Sequence, residues 1–214
     1  MGTITRTFTN NIGSNGVLGS SAFNNASLNN VTSISGVTMK LLTTATASGD
    51  ASLSFTSNID STYDEYWFVF NNIHVSNVNT ILTFMASTDG GSSYGVATTN
   101  TFVESQHNEA NTIGSLTYDG DKDQAQNTGL IYFGPAADIE DSASMSGIFK
   151  LYNPSSSTYV KHYTSMIQGM EHDNISTLVL GGGYINTTSP VNAIKFQMTS
   201  NTIDTGTIKL YGVS

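Results

Sequence analysis

The stretch YDGDKDQ sets Asp119, Asp121 and Asp123 at alternate positions, three carboxylates within five residues. Calcium is a hard cation that takes oxygen ligands, and its loops use this alternation to bring several carboxylates onto one ion. Such a loop also needs a glycine at its sixth position for a sharp turn and a bidentate glutamate at its twelfth. Counted from Asp119, those positions hold Gln124 and Leu130. Asp119, Asp121 and Asp123 are therefore the candidate Ca2+ ligands, with a solvated acidic turn as the preferred reading, and no other cofactor is expected. The acidic run ADIEDSAS, with Asp138, Glu140 and Asp141, reads as a solvated surface in the same way.

STDGGSSYG, residues 87–95, fits the S-x-D-x-G-x-[ST]-[aromatic] turn that recurs in the propeller blades of sialidases. Propellers carry several copies at regular spacing, and even there the motif is a turn away from the catalytic centre. A single copy predicts a hairpin turn at Asp89–Gly91, where Asp-Gly-Gly supplies the positive φ angles. His74, His107, His162 and His172 show no metal-ligand spacing, and the chain has no GxSxG elbow and no phosphate loop. In MEHDN, Glu171, His172 and Asp173 are adjacent, but alternate residues of a strand face opposite ways, so they read as loop chemistry. LGGGYIN, residues 180–186, lacks the helix and basic residue a phosphate site needs and predicts a bulge or close backbone approach in a strand. Paired carboxylates for glycoside cleavage can come from distant strands, yet no pair stands out. No catalytic residue is expected, and the protein is read as a non-enzyme.

Aromatic rings are the remaining resource. Ten Tyr and one Trp suit carbohydrate binding, because the C–H faces of a sugar pack on flat rings. Most are expected in the core; Tyr94, Tyr118, Tyr159 and Tyr184 fall in turn-rich stretches and are the candidate binding residues.

The composition frames these elements. Only 11% of the 214 residues are charged, against a usual quarter, and Asn, Thr, Ser and Gly fill the gap. That mixture is poor in helix formers and rich in β-branched and turn residues, which predicts an all-β chain. A net charge of −9 with seven scattered basic residues argues against nucleic acid, whose phosphates must be neutralised. The chain has no cysteine, so disulfides and thiolate chemistry are excluded. No apolar run reaches membrane-spanning length, so no membrane insertion is expected, and the N-terminus lacks a signal peptide's apolar core. Synthesis in a cytoplasm is the expectation.

From Gly36 onward the hydrophobic period is two. In EYWFVFNNIH, Tyr66, Phe68 and Phe70 share one face and Trp67 and Val69 the other, which predicts a central strand covered on both sides. AIKFQMT alternates Ile194, Phe196 and Met198 with polar residues, the half-buried pattern of a sandwich strand. Ten or so such strands predict an antiparallel jelly-roll β-sandwich over residues 36–214. GIFKLY and GTIKLYG share a pattern that turns Lys150 and Lys209 to solvent, explained by local strand chemistry rather than duplication. Residues 1–35 read as an extended N-terminal arm, with Ile12, Val17, Leu18, Phe23, Leu28 and Val31 as spaced apolar anchors for assembly.

SNIDSTYDEYWFVFNNIHV, STDGGSSYGV, HNEANTIGSLTYD, LYNPSSSTYVKHY, YINTTSPVNAIKFQM and DTGTIKLYGV occur in that order. Together they resemble virion proteins of tailed phages, especially those of marine bacteria and cyanobacteria. The resemblance covers roughly residues 40–214 and implies a jelly-roll particle component rather than an enzyme, without any binding motif. Taken with the candidate exposed tyrosines and the polar, weakly charged composition, the leading expectation is a tail-fibre or appendage module on the virion that contacts a host surface glycan. A capsid decoration protein clamped to the shell by its arm is the alternative, and a glycan depolymerase the third. Either virion role implies other virion proteins as partners and a homo-oligomer, by analogy a trimer.

Overall fold

The computed structural model describes residues 39–140, 142–172 and 174–214. The arm assigned to residues 1–35, with its anchors Ile12, Val17, Leu18, Phe23, Leu28 and Val31, lies outside the described residues. All regular structure among the described residues is β-strand. First come β1 (Met39–Thr46), β2 (Leu53–Phe55), β3 (Glu65–Val75) and β4 (Ile81–Ser87). The next group is β5 (Thr98–Asn108), β6 (Gly114–Tyr118), β7 (Gln124–Asn127), β8 (Ile131–Ala136) and β9 (Met145–Tyr152). The chain ends with β10 (Lys161–Glu171), β11 (Ile175–Ile185), β12 (Ala193–Met198) and β13 (Ile203–Val213).

Two antiparallel sheets form. The large one runs β1-β13-β3-β9-β10-β11-β5-β6, with β7 also paired to β5; the small one runs β2-β12-β4-β8. The ladders β1·β13, β2·β12, β3·β9 and β4·β8 are those of one long antiparallel ribbon. Rolling that ribbon pairs β13 with β3 and β12 with β4, which gives the expected jelly roll. Two insertions, β5–β7 between β4 and β8 and β10–β11 between β9 and β12, lengthen only the large sheet.

The core lies between the sheets and is aromatic. From β12, the ring of Phe196 meets Phe55, Phe68, Phe70, Phe133 and Phe149 at centroid distances of 5.0–6.0 Å, mostly edge to face. Phe84 joins Phe133, Phe149 and Tyr163 from the next strand of the small sheet. Edge-to-face contact sets the positive rim of one ring against the negative face of another, so the cluster constrains orientation as well as burying area.

The expectation that β3 is covered on both faces is corrected. Tyr66, Phe68 and Phe70 are fully buried against the small sheet, while Trp67 and Val69 are only half-buried. Their shielding comes from neighbouring strands: the Lys150 ammonium sits over the Trp67 ring, 4.0 Å from its centroid. Lys150 and Lys209 lie on β9 and β13, the two strands flanking β3, which accounts for the shared GxxKLY pattern. The glycines of LGGGYIN hold β11 in unbroken register with β10 and β5, so they mark close approach and not a bulge. A Cβ at Gly183 would run into the Thr99 carbonyl, and one at Gly181 would lie 2.6 Å from the Ser165 hydroxyl.

Because the small sheet is the narrower one, its last strand, β8, is left with an open edge. Polar side chains close it. Gln124 donates to the Leu130 carbonyl (2.8 Å) and accepts from the Tyr132 amide (3.1 Å), while Asn100 donates to the Tyr132 carbonyl (3.1 Å). Asn127 donates to the Leu130 carbonyl at 3.1 Å, and Glu171 accepts from the Ala136 amide at 3.1 Å. Glu171 also accepts from Gln106 at 3.0 Å; burial, and then the charge of Glu104, raise its pKa above the usual carboxylate value. At the opposite end Lys161 is fully buried, and its ammonium donates to the carbonyls of Ser156, Tyr159 and Thr187 at 2.6, 2.9 and 3.1 Å. All three of its protons are used, which ties the β9–β10 loop to the end of β11.

Phe196→Ala should cost about 3–5 kcal/mol, because five rings lose a shared partner and the rigid sheets cannot close the gap. Urea unfolding followed by tyrosine and tryptophan fluorescence measures it. A loss under about 1 kcal/mol would show that the cluster is not the keystone of the core.

Candidate functional site

Side chains alternate along a strand, so packing Tyr66, Phe68 and Phe70 inward turns Glu65, Trp67 and Val69 to the outer face of the large sheet. The pairing then carries outward residues across it in rows. One row joins Glu65 to Tyr152, and on the neighbouring strands His162 to Tyr184 and Thr99. The next runs Leu41, Tyr211, Trp67, Lys150, Thr164, Gly182 and Thr101. Gly182 has no side chain, which leaves a gap between Thr164 and Thr101.

These two rows form a polar aromatic surface. The Trp67 indole N–H donates to Glu65 at 2.8 Å while Lys150 lies over its ring, so both charges are already engaged. Tyr152 and Thr164 share a hydroxyl–hydroxyl hydrogen bond of 3.0 Å, and the His162 and Tyr184 rings meet edge to face at 6.5 Å. Gln126 donates to Thr99 (2.8 Å) and to the Tyr184 hydroxyl (3.3 Å), and Asn186 donates to the Gln126 carbonyl oxygen at 2.6 Å. The result is a set of rings and hydroxyls with fixed orientation, suited to a ligand that offers C–H faces and many hydroxyls.

A third row is apolar: Val69, Ile148, Met166, Leu180, Val103 and Tyr118. Met166 and Leu180 are 50% and 44% exposed at the middle of the sheet. Beyond this row lies a groove of about 530 Å³, lined by His107, Ser146, Gln168, Met170, Asn174 and Ser176 among others. Gln168 donates to Ser176 at 3.0 Å, and Ser146 accepts from the Asn72 amide at 3.0 Å.

The four predicted tyrosines do not converge. Tyr184 and Tyr118 both lie on the outer face, on β11 and at the end of β6. Tyr118 is 54% exposed, and its hydroxyl donates to Asp123 at 2.5 Å, which raises its pKa. Tyr159 is 70% exposed on the β9–β10 loop. Tyr94 lies away from this face: its ring sits under Lys195 of β12, in the small sheet, 4.7 Å from the centroid, and its hydroxyl is buried. Trp67, Tyr152, His162 and Gln126 were not expected at a site. Strand alternation turns Trp67 outward, but only the pairing register sets it beside residues about 85 positions later.

Asp119, Asp121 and Asp123 do not form a shared cation cage, and no group of three metal-ligating side chains occurs among the described residues. The Lys122 ammonium takes the cation's place, 3.1 Å from Asp119 and 3.0 Å from Glu104. Burial works against that ammonium, but its hydrogen bonds to the two carboxylates outweigh burial and raise its pKa. Asp123 is held separately by Tyr118.

Residues 87–95 form a tight turn, as expected, but not a hairpin: β4 lies in the small sheet and β5 in the large one, so the turn carries the chain from one sheet to the other. Ser87 donates to Asp89 (2.7 Å), and Asp89 accepts from the Ser93 amide (2.9 Å) and from the Ser93 hydroxyl (2.5 Å). The Gly91 amide donates back to the Ser87 hydroxyl at 3.0 Å, with φ values of +73° and +87° at Gly90 and Gly91. Led by the Ser93 hydroxyl, these donors lower the Asp89 pKa to about 2. The chain matches no family model, no curated protein and no solved structure.

Asp89 is more acidic folded (about 2) than at its ordinary 3.8, so its contribution is complete above that value and lost as pH falls towards 2. The stability gap between the wild type and Asp89→Asn should therefore narrow between pH 4 and 2 in urea melts. A pH-independent gap would show that the ionised carboxylate does not hold the turn.

Proposed function

We propose that this chain is a non-enzymatic structural protein of a phage virion, one of its host-contacting appendage modules. In this reading the outer face of the large sheet meets a neutral, hydroxyl-rich host glycan, and other virion proteins carry the module. The observation that carries the reading is the polar aromatic surface of Trp67, Tyr152, His162 and Tyr184, fixed by hydrogen bonds and almost free of unengaged charge. Sugars bind through such surfaces by stacking and by short hydrogen bonds from amides and hydroxyls, while an acidic protein repels anionic polymers less where its charge is sparse. The glycan part of the reading rests on this surface, and the virion part on the resemblance of residues 40–214 to tailed-phage virion proteins.

The test is binding of the labelled full chain to host cells, compared with its Trp67→Ala and Tyr184→Ala variants. Each substitution should weaken binding by about 2 kcal/mol, roughly 30-fold, as expected for a central aromatic contact. Both variants fold if their circular dichroism matches the wild type, since the two residues lie outside the core. Binding unchanged in both would overturn the assignment of the face.

A further inference from the structure

The two sheets have four edges, and three of them carry the devices that keep a strand from pairing with another chain. β2 is three residues long. β8 is closed by the side chains of Gln124, Asn100, Asn127 and Glu171. β1 carries Lys40 and an irregularity in its register between Leu41 and Thr43. β6 has none of these.

Its sequence, GSLTY, has no charge and no proline, and it pairs with β5 through five residues in unbroken register. All five are exposed, and Leu116, at 75%, is the most exposed large apolar side chain among the described residues. Beside it on the same side of β5, β7 is protected by its four-residue length, a register shift and the positive φ of Gln126 (+52°). Among the described residues nothing pairs with the other edge of β6.

We propose that β6 is a docking edge for a second copy of this chain, pairing antiparallel with β6 of the partner about a two-fold axis at Leu116. The strand is self-complementary in that register. Leu116 faces its own counterpart, Ser115 faces Thr117, and Gly114 faces Tyr118, where a ring covers the backbone that glycine leaves bare. One position further out Asp119 faces Ile113, so no like charges are opposed, although the chain carries a net charge of −9. Leu116 and Tyr118 share the outer face with Ser105 and Val103, their partners on β5. The apolar row from Val69 to Tyr118 thus ends against the partner's Gly114, two residues from the axis, and the two large sheets become one.

A five-residue strand pair buries less than the ~800 Å² per partner of a standard interface. The dimer is accordingly weak and concentration-dependent in solution, and is reinforced where copies are held close together. This pairing is independent of the glycan reading and differs from the trimer that analogy with other appendages implies.

Sedimentation velocity of the full chain over a wide concentration range, with Leu116→Lys and Tyr159→Lys, tests it. Leu116 is exposed, so the lysine places a charge at the axis without touching the core, and Tyr159, about as exposed, serves as a control away from β6 on the β9–β10 loop. The wild type and Tyr159→Lys should move from one to two chains as concentration rises, and Leu116→Lys should stay at one. Hydrogen exchange should slow at residues 114–118 over the same range. A wild type that stays monomeric throughout, or a Leu116→Lys variant that associates like the wild type, as a dimer or a trimer, overturns the proposal.

Discussion

The contact of Phe196 with five other rings is the constraint from which the rest of this structure follows. It joins the middle of the small sheet to β3, β8 and β9 at once and sets which side of each strand faces inward. Strand periodicity leaves no freedom after that: with Phe68 and Phe149 inside, Trp67, Lys150 and Tyr152 must point out. The polar aromatic surface is thus the other side of the core. A one-residue slip of any central strand would destroy both together.

The two insertions give that surface its width. The jelly roll alone would supply β1, β13, β3 and β9; His162, Thr164, Tyr184 and Thr99 come from the inserted β10, β11 and β5. Extension of one sheet but not the other exposes inward-facing backbone at β8, and the chain meets this with amides and a buried carboxylate rather than with more apolar residues. Such a network works only when its members are satisfied, and most are, with the Asn100 side-chain oxygen left without a partner among the described residues.

Much of the fold was legible because the signal was local. Alternation in EYWFVF, AIKFQM and GIFKLY marked strands and their inward residues, and Asp-Gly-Gly with its flanking serines marked the turn. The polar strands were only partly legible: of β5, TTNTFVESQHN, the first half read as a strand, and β7, QAQN, not at all, because Asn100, Gln124 and Asn127 bond to the backbone at β8 instead of packing and leave little hydrophobic period to find. The covered-both-sides reading of β3 failed because Lys150 over the ring and other cross-strand neighbours half-bury an outward Trp67 without a second layer. The site was the least legible part. Turn-rich context drew attention to Tyr94, which is half-buried under Lys195, and away from Trp67 and Tyr152, which meet His162 and Tyr184 only through register across four strands. What the aspartate triplet did not reveal is its partner: Lys122, inside the motif itself, folds back onto Asp119 and onto Glu104 of a neighbouring strand.

Hydroxyl-radical footprinting of the full chain, with and without host surface polysaccharide, tests the central claim most directly, because oxidation reports side-chain access residue by residue. Trp67, Tyr152 and Tyr184 on the outer face should be protected, with Tyr159 and the residues 87–95 turn unchanged. Protection confined to the loops, or none at concentrations where the polysaccharide binds the virion, would contradict it.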